Sequence, residues 1–270
     1  MKIEPIRMEF QVTQVVRRFV YMYLLLGRRC YLIDGGAIGA AEAVEQCLRQ
    51  NGRSADELDR VFLTHAHPDH MGGAAELKKK CGCRICASTG ERPWIEDTEL
   101  QFRQRPIPNF HGLVGGPVHI DEILKDGDVV TLEPGMTLRV VGTPGHSCDG
   151  LSFWLEEERC IFTGDAIPVP EDIPIWVSGL KSKSSLEKLK SLCRLEEIEA
   201  VYPAWDRMYF GVDEILNKIR AAQELVDWLQ AVAAEGTEET EDERMLRWRQ
   251  HPLFQRTMEA MKEEKPDGHY

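Results

Sequence analysis

Apolar positions change their spacing repeatedly along this chain, and each change marks a new element. Phe19 to Leu26 and Cys30 to Ile33 are dense in aromatic and aliphatic side chains around Gly27-Arg28-Arg29, which predicts a hairpin. From about Ile38 to Gln50 the spacing turns helical. Ala40, Val44, Cys47 and Leu48 share one face, and Asn51-Gly52 is the stop. Ser54 with Glu57 reads as a capping box over one short turn. A strand from Arg60 to Thr64 then delivers the chain into His65-Ala66-His67-Pro68-Asp69-His70. A helix from Gly72 to Lys80, closed by Gly82, and a short strand at Ile85 to Ala87 follow.

Between Glu91 and Asp121 the pattern dissolves into a stretch holding Pro93, Pro106, Pro108 and Pro117, with a local helix expected around Glu96 to Gln104. Strands return at Asp128 to Leu132, Leu138 to Val141, Leu151 to Leu155 and Arg159 to Phe162. A helix from Ser185 to Arg194 is expected, with Ser184 and Glu187 as its capping box, and then a last short strand at Ala200 to Tyr202. Val212, Ile215, Leu216, Ile219, Val226, Leu229 and Ala233 are spaced as one helix face. Gly236 and an acidic run (Glu238, Glu239, Glu241, Asp242, Glu243) read as a solvated linker before a final helix carrying Met245, Leu246, Trp248, Phe254, Met258 and Met261.

Composition narrows the class without naming a chemistry. The 270 residues are 43% hydrophobic and 29% charged, ordinary values for a globular chain with a sizeable core. A net charge of −12 opposes a polyanion partner, so nucleic acid is not expected. The longest apolar run, Val20 to Leu26, falls far short of the roughly 20 residues that cross a bilayer. Met1-Lys2-Ile3-Glu4-Pro5 shows no signal-peptide core, which points to a reducing, cytoplasmic setting and to the eight cysteines being mostly buried thiols. Cys81, Cys83 and Cys86 lack a fourth ligand nearby and read as thiols beside a helix stop. Cys148 reads as a buried small hydrophobe.

The chemistry is concentrated at strand ends. Residues two apart at the end of a strand point the same way, so His65 and His67 can reach one ion at roughly 2.0–2.1 Å each. Pro68 stiffens the turn, and Asp69 and His70 project from the start of the next helix. Two more strands run into Thr143-Pro144-Gly145-His146-Ser147 and Thr163-Gly164-Asp165-Ala166. Alone, His146 or Asp165 is an ordinary turn residue. In this order, after that hexapeptide, they extend a ligand set.

These pieces, together with Asp34-Gly35-Gly36, resemble the metallo-β-lactamase superfamily from about Phe10 to Gly211. The resemblance implies an α+β fold, a four-layer αββα sandwich of two mixed sheets with helices outside. It implies a metallo-β-lactamase-like domain over residues 1–211, with residues 212–270 as a helical extension. It also implies a first metal on His65, His67 and His146, and a second on Asp69 and His70, bridged by Asp165. Asp34 would support the metal loops rather than ligate. One departure stands out. Where the family usually supplies a late histidine, the turn reads Tyr202-Pro203-Ala204-Trp205-Asp206, and indole cannot ligate. Asp206 is the expected substitute ligand; the alternative is a weak or vacant second site.

The expected activity is hydrolysis of a small ester, thioester or lactone by attack of a metal-held hydroxide, with Asp69 orienting it and passing a proton to the leaving group. The expected cofactor is one or two divalent ions, zinc first. Oxygen-rich ligands would tilt the second site toward manganese or iron. A mononuclear-iron, sulfur-dioxygenase-like oxidoreductase is the alternative, because one metal suffices there. The expected partner is a small-molecule substrate, with no nucleic acid and no membrane. The C-terminal helices are read as an outer layer, a cover for the site's edge or a homodimer contact.

Overall fold

The computed structural model describes residues 1–196, 198–235 and 242–264. Gly236, Glu238, Glu239 and Glu241 of the acidic run lie outside the described residues. Asp242 caps the next helix, accepting from the Arg244 amide at 2.8 Å.

The chain opens with β1 (Lys2–Gln11), β2 (Arg17–Leu26), β3 (Cys30–Ile33), α1 (Ala40–Gln50), β4 (Leu58–Phe62), α2 (Pro68–Met71), α3 (Ala74–Cys81) and β5 (Arg84–Ser88). The proline-rich stretch resolves into α4 (Arg92–Glu96), α5 (Thr98–Gln104) and α6 (Phe110–Leu113), followed by β6 (Glu122–Leu124). Then come β7 (Val129–Glu133), β8 (Met136–Gly142), β9 (Leu151–Leu155), β10 (Cys160–Gly164), α7 (Gly179–Leu195), β11 (Ala200–Pro203) and β12 (Tyr209–Phe210). The last helices are α8 (Val212–Glu235), α9 (Glu243–Trp248) and α10 (Pro252–Glu263). The strands form two six-stranded sheets, ordered β1-β2-β3-β4-β5-β6 and β12-β11-β10-β9-β8-β7. Both are mixed. In the first, β1, β2 and β3 are antiparallel neighbours and β3 to β6 are parallel. In the second, β7 pairs antiparallel with β8, β10 parallel with β11, and β11 antiparallel with β12.

The chain forms two compact units, residues 1–141 with 151–158, and residues 142–150 with 159–270. In the first, β3 is apolar throughout because both of its faces are covered. Leu32, Val61, Phe62 and Ile85 are wholly buried. The face of β3 and β4 packs on β7 and β9. The Phe62 and Phe153 rings are 5.6 Å apart, Tyr31 tilts against Phe62, and the Tyr31 hydroxyl donates to the Leu132 carbonyl. Each buried ring contributes about 1.5–3 kcal/mol. The edge strand β1 was not expected as an element. Only Ile6 and Phe10 of its ten residues are buried, and Pro5 falls where an edge tolerates it.

In the second unit α7 packs on α8, and α8 on α10. The helix expected at Ser185 begins instead at Gly179, with Ser178 as its cap, accepting from the Lys181 amide at 3.1 Å. Ser184 and Glu187 are therefore not a capping box; they lie inside the helix. The earlier start is held from a distance, because Glu264, after α10, accepts the Gly179 and Leu180 amides at 3.1 Å each. Thr257 of α10 accepts from the Trp176 amide at 3.0 Å and donates to the Pro174 carbonyl at 3.1 Å. No described helix is long and apolar enough to cross a membrane.

Candidate metal centre

The first unit gathers three imidazoles. β4 ends at Phe62, and Thr64 to His67 continue past the sheet edge before Pro68 opens α2. The His65 ring stands 4.4 Å from His67 and 4.1 Å from His70, centroid to centroid. All three are buried, at 3%, 3% and 0% exposure. Burying that much basicity is costly unless each ring nitrogen has a defined role.

Asp34 defines several of those roles. It follows β3 in a left-handed conformation (φ 61°), and its own amide donates to the Phe62 carbonyl at 2.9 Å. Its carboxylate accepts from the Thr64 amide at 2.8 Å, from the Thr64 hydroxyl at 2.9–3.0 Å and from His70 Nδ1 at 2.8 Å. The His70 Nδ1 proton is thus committed to a carboxylate, and the lone pair is left on Nε2. With its own proton given to Asp34, the Thr64 hydroxyl accepts from His65 Nδ1 at 3.0 Å. That leaves the His65 lone pair on Nε2 as well. One buried carboxylate sets two tautomers, as the partners of metal-binding histidines do. Asp69 Oδ2 approaches His70 Nε2 at 3.5 Å.

The loop is also held by its peptide. The Ala66 amide donates to Glu91 Oε2 at 3.1 Å, and the Ala66 carbonyl accepts from the Gln101 side-chain amide. Both partners are buried, at 2% and 0% exposure, and both come from the proline-rich stretch. No residue pattern announces them, since each reaches a backbone group far away in sequence. Beneath the loop, Gly73 donates to the Gly36 carbonyl at 3.0 Å. A Cβ at Gly73 would stand 2.5 Å from the Gly35 oxygen, so only glycine permits this approach.

The second unit holds His146 and Asp165, with His146 Nε2 3.2 Å from Asp165 Oδ2. The turn bearing His146 is stapled to α7. The Val177 and Ser178 amides donate to the Gly145 carbonyl at 2.8 and 3.1 Å, and the Ser185 hydroxyl donates to the Pro144 carbonyl at 2.7 Å. Gly145 has φ +133°, and a Cβ there would meet the Ser182 amide nitrogen at 2.4 Å.

Asp206 has other partners than the expected ion. Its Oδ2 accepts from Lys218 Nζ at 2.6 Å and from the Tyr209 hydroxyl, and its Oδ1 from the Arg207 amide at 2.8 Å. Burial alone would raise its pKa, but the Lys218 and Tyr209 hydrogen bonds outweigh that and hold it below the usual aspartate value. Lys218 was not singled out by sequence, where it reads as one polar position on a long helix.

Among the other candidates, Cys83 is buried, and burial pushes its thiol up to about 12. Cys86 is raised further by the same cause, which favours the protonated thiol at both positions. Six of the eight cysteines are buried, but Cys148, expected to be so, is exposed. Its place in the tight Ser147–Asp149 turn gives it no core to fill. His111 and His119 are exposed and paired with Glu99 and Glu96.

Comparison with known proteins agrees with this architecture. Residues 15–229 match the family model described as the metallo-beta-lactamase superfamily. A beta-lactamase-like protein 2 homolog from Caenorhabditis elegans is 26% identical over 206 residues, 76% of this chain and 63% of that protein. A hydroxyacylglutathione hydrolase from Rhodopseudomonas palustris (strain BisB5) is 32% identical over 142 residues, 51% of this chain and 47% of its own. The chain thus spans less than two thirds of the length of these curated relatives. Among solved structures, a metallo-beta-lactamase family protein from Thermus thermophilus superposes with a TM-score of 0.71 at 20% identity, covering 96% of this chain and 91% of that one. That likeness shows the shared sandwich. With the family model spanning most of the chain and the histidine loop and both sheets in the order that fold requires, the chain belongs to the metallo-beta-lactamase superfamily.

Proposed function

We propose that this chain is a metal-dependent hydrolase of small esters, thioesters or lactones, with zinc as its first metal. One observation carries the reading. In the first unit three buried imidazoles, His65, His67 and His70, crowd one loop with their ring protons directed by Asp34 and Thr64, and the second unit pairs His146 with Asp165. The expected ligands His65, His67, His146 and Asp165 are three imidazoles and one carboxylate, a donor set that would suit the borderline preference of zinc. When bound, such an ion lowers the pKa of a water and polarises a carbonyl oxygen. The residues supply the rest. Asp34 and Thr64 fix the tautomer of His65, and Asp34 that of His70. Asp69, at the start of α2 and beside His70, is the group placed to take a proton and return it to the leaving group. Among the named relatives, the hydroxyacylglutathione hydrolases make a thioester the first substrate class to try.

The test is turnover of thioester, lactone and ester panels by protein loaded with zinc, manganese or iron. Hydrolysis that disappears with a chelator and returns with metal is expected. Inactivity across all three panels with metal bound, or oxygen uptake with a persulfide by the iron form, overturns the reading.

The Ala66 clamp yields a second expectation. Gln101→Leu removes the donor to the Ala66 carbonyl between the two histidines, and metal affinity is expected to fall about 10-fold while the fold persists. Chelator competition measures it. Unchanged affinity would mean that the clamp is packing alone.

A further inference from the structure

Resting on that reading, we propose that the Lys218 ammonium fills the place of a second cation beside Asp206, so that the chain loads one divalent ion and not two. Asp206 stands in the turn after β11. β11 runs parallel to β10, and the Ala204 amide donates to the Gly164 carbonyl at 3.1 Å. The turn is therefore tied to the strand end from which Asp165 projects. Asp206 is the carboxylate expected from sequence to serve a second ion, and it is already engaged. Lys218 reaches it from α8 at 2.6 Å, with its side chain only 8% exposed. The Tyr209 hydroxyl donates to the same oxygen, and the ammonium also lies 5.3 Å from the Tyr209 ring centroid.

Coordination by Asp206 would break this arrangement twice. The carboxylate would lose a charge-assisted hydrogen bond, and Lys218 would be left as a buried cation without its counter-ion. A metal must outbid a partner that is covalently attached and never diluted. The lysine supplies one positive charge where a divalent ion would bring two, which balances Asp206 alone.

The experiment counts zinc per full-length chain by atomic emission after dialysis against buffered free zinc, with native mass spectrometry as a second count. One ion is expected in the wild type and in Lys218→Arg, which keeps the pair. Two are expected in Lys218→Met, with circular dichroism confirming the fold. Asp206→Asn, which keeps an acceptor for Lys218, is expected to hold one ion with affinity within about two-fold, and it decides the matter should Lys218→Met not fold. Two ions in the wild type, one in a folded Lys218→Met, or a ten-fold affinity loss in Asp206→Asn overturns the inference. Zero ions in the wild type removes the hydrolase reading itself, so the two failures are distinguishable.

Discussion

His67→Ala is expected to abolish zinc loading and to lower hydrolysis by about 10³-fold or more, with the fold retained. The loss follows from the donor set. His67 is one of three imidazoles in the proposed group, and its removal takes several kcal/mol from the metal's hold and charge stabilisation, at about 1.4 kcal/mol per decade. Survival of the fold follows from the local structure. His67 precedes α2 without a side-chain capping bond, and Pro68 still opens that helix. The Ala66 peptide keeps both clamps, and Asp34 still holds Thr64 and His70. The expected stability cost is that of an ordinary buried truncation, about 1–3 kcal/mol. Atomic emission, a chelator-reversible assay and a thermal melt together read all three. A variant that still turns over substrate with metal bound would sink the proposed mechanism.

The clarity of that forecast reflects what the sequence could express. A strand end followed by His-x-His is a local statement, because period-two geometry places both rings on one side regardless of the rest of the fold. Cys30 to Ile33 was equally legible, since a strand covered on both faces is apolar throughout, and the strand expected at Arg60 to Thr64 was found at Leu58–Phe62. Elements held by distant partners were not. β1 exposes Lys2, Pro5, Arg7 and Glu9 and buries little, so its apolar signal is faint. α7 starts six residues before Ser185 because Glu264, from the far end of the chain, accepts its first amides. Glu91 and Gln101 serve a peptide rather than a side chain, which leaves no pattern. Asp206 shows the same limit from the other side. Nothing near it in the sequence announces the lysine on α8 that donates to its carboxylate.

Asp34 is where the largest effect on the fold and a large effect on the metal can be separated. It follows β3 with φ 61°, a conformation that asparagine tolerates and alanine resists. Asp34→Ala strips the acceptor from the Thr64 amide, the Thr64 hydroxyl and His70 at once, in a site only 2% exposed. About 3–5 kcal/mol of stability should be lost, by the usual worth of charge-assisted bonds whose donors stay buried. Asp34→Asn should fold, because its carbonyl still accepts from Thr64. Its amide group then faces His70 Nδ1, and donor cannot meet donor. His70 relieves the clash by moving its proton to Nε2, the nitrogen that Asp34 had kept available. The Thr64 hydroxyl, left with one carbonyl oxygen in place of two carboxylate oxygens, then holds His65 Nδ1 less firmly, and affinity for the ion on His65, His67 and His146 is expected to fall about 10-fold in a protein that melts close to the wild type. Chelator competition with parallel melts separates the two variants. If the asparagine protein held zinc as tightly as the parent, the hydrogen-bond chain from Asp34 through Thr64 to His65 would be irrelevant to the site, and Asp34 would be a structural residue alone.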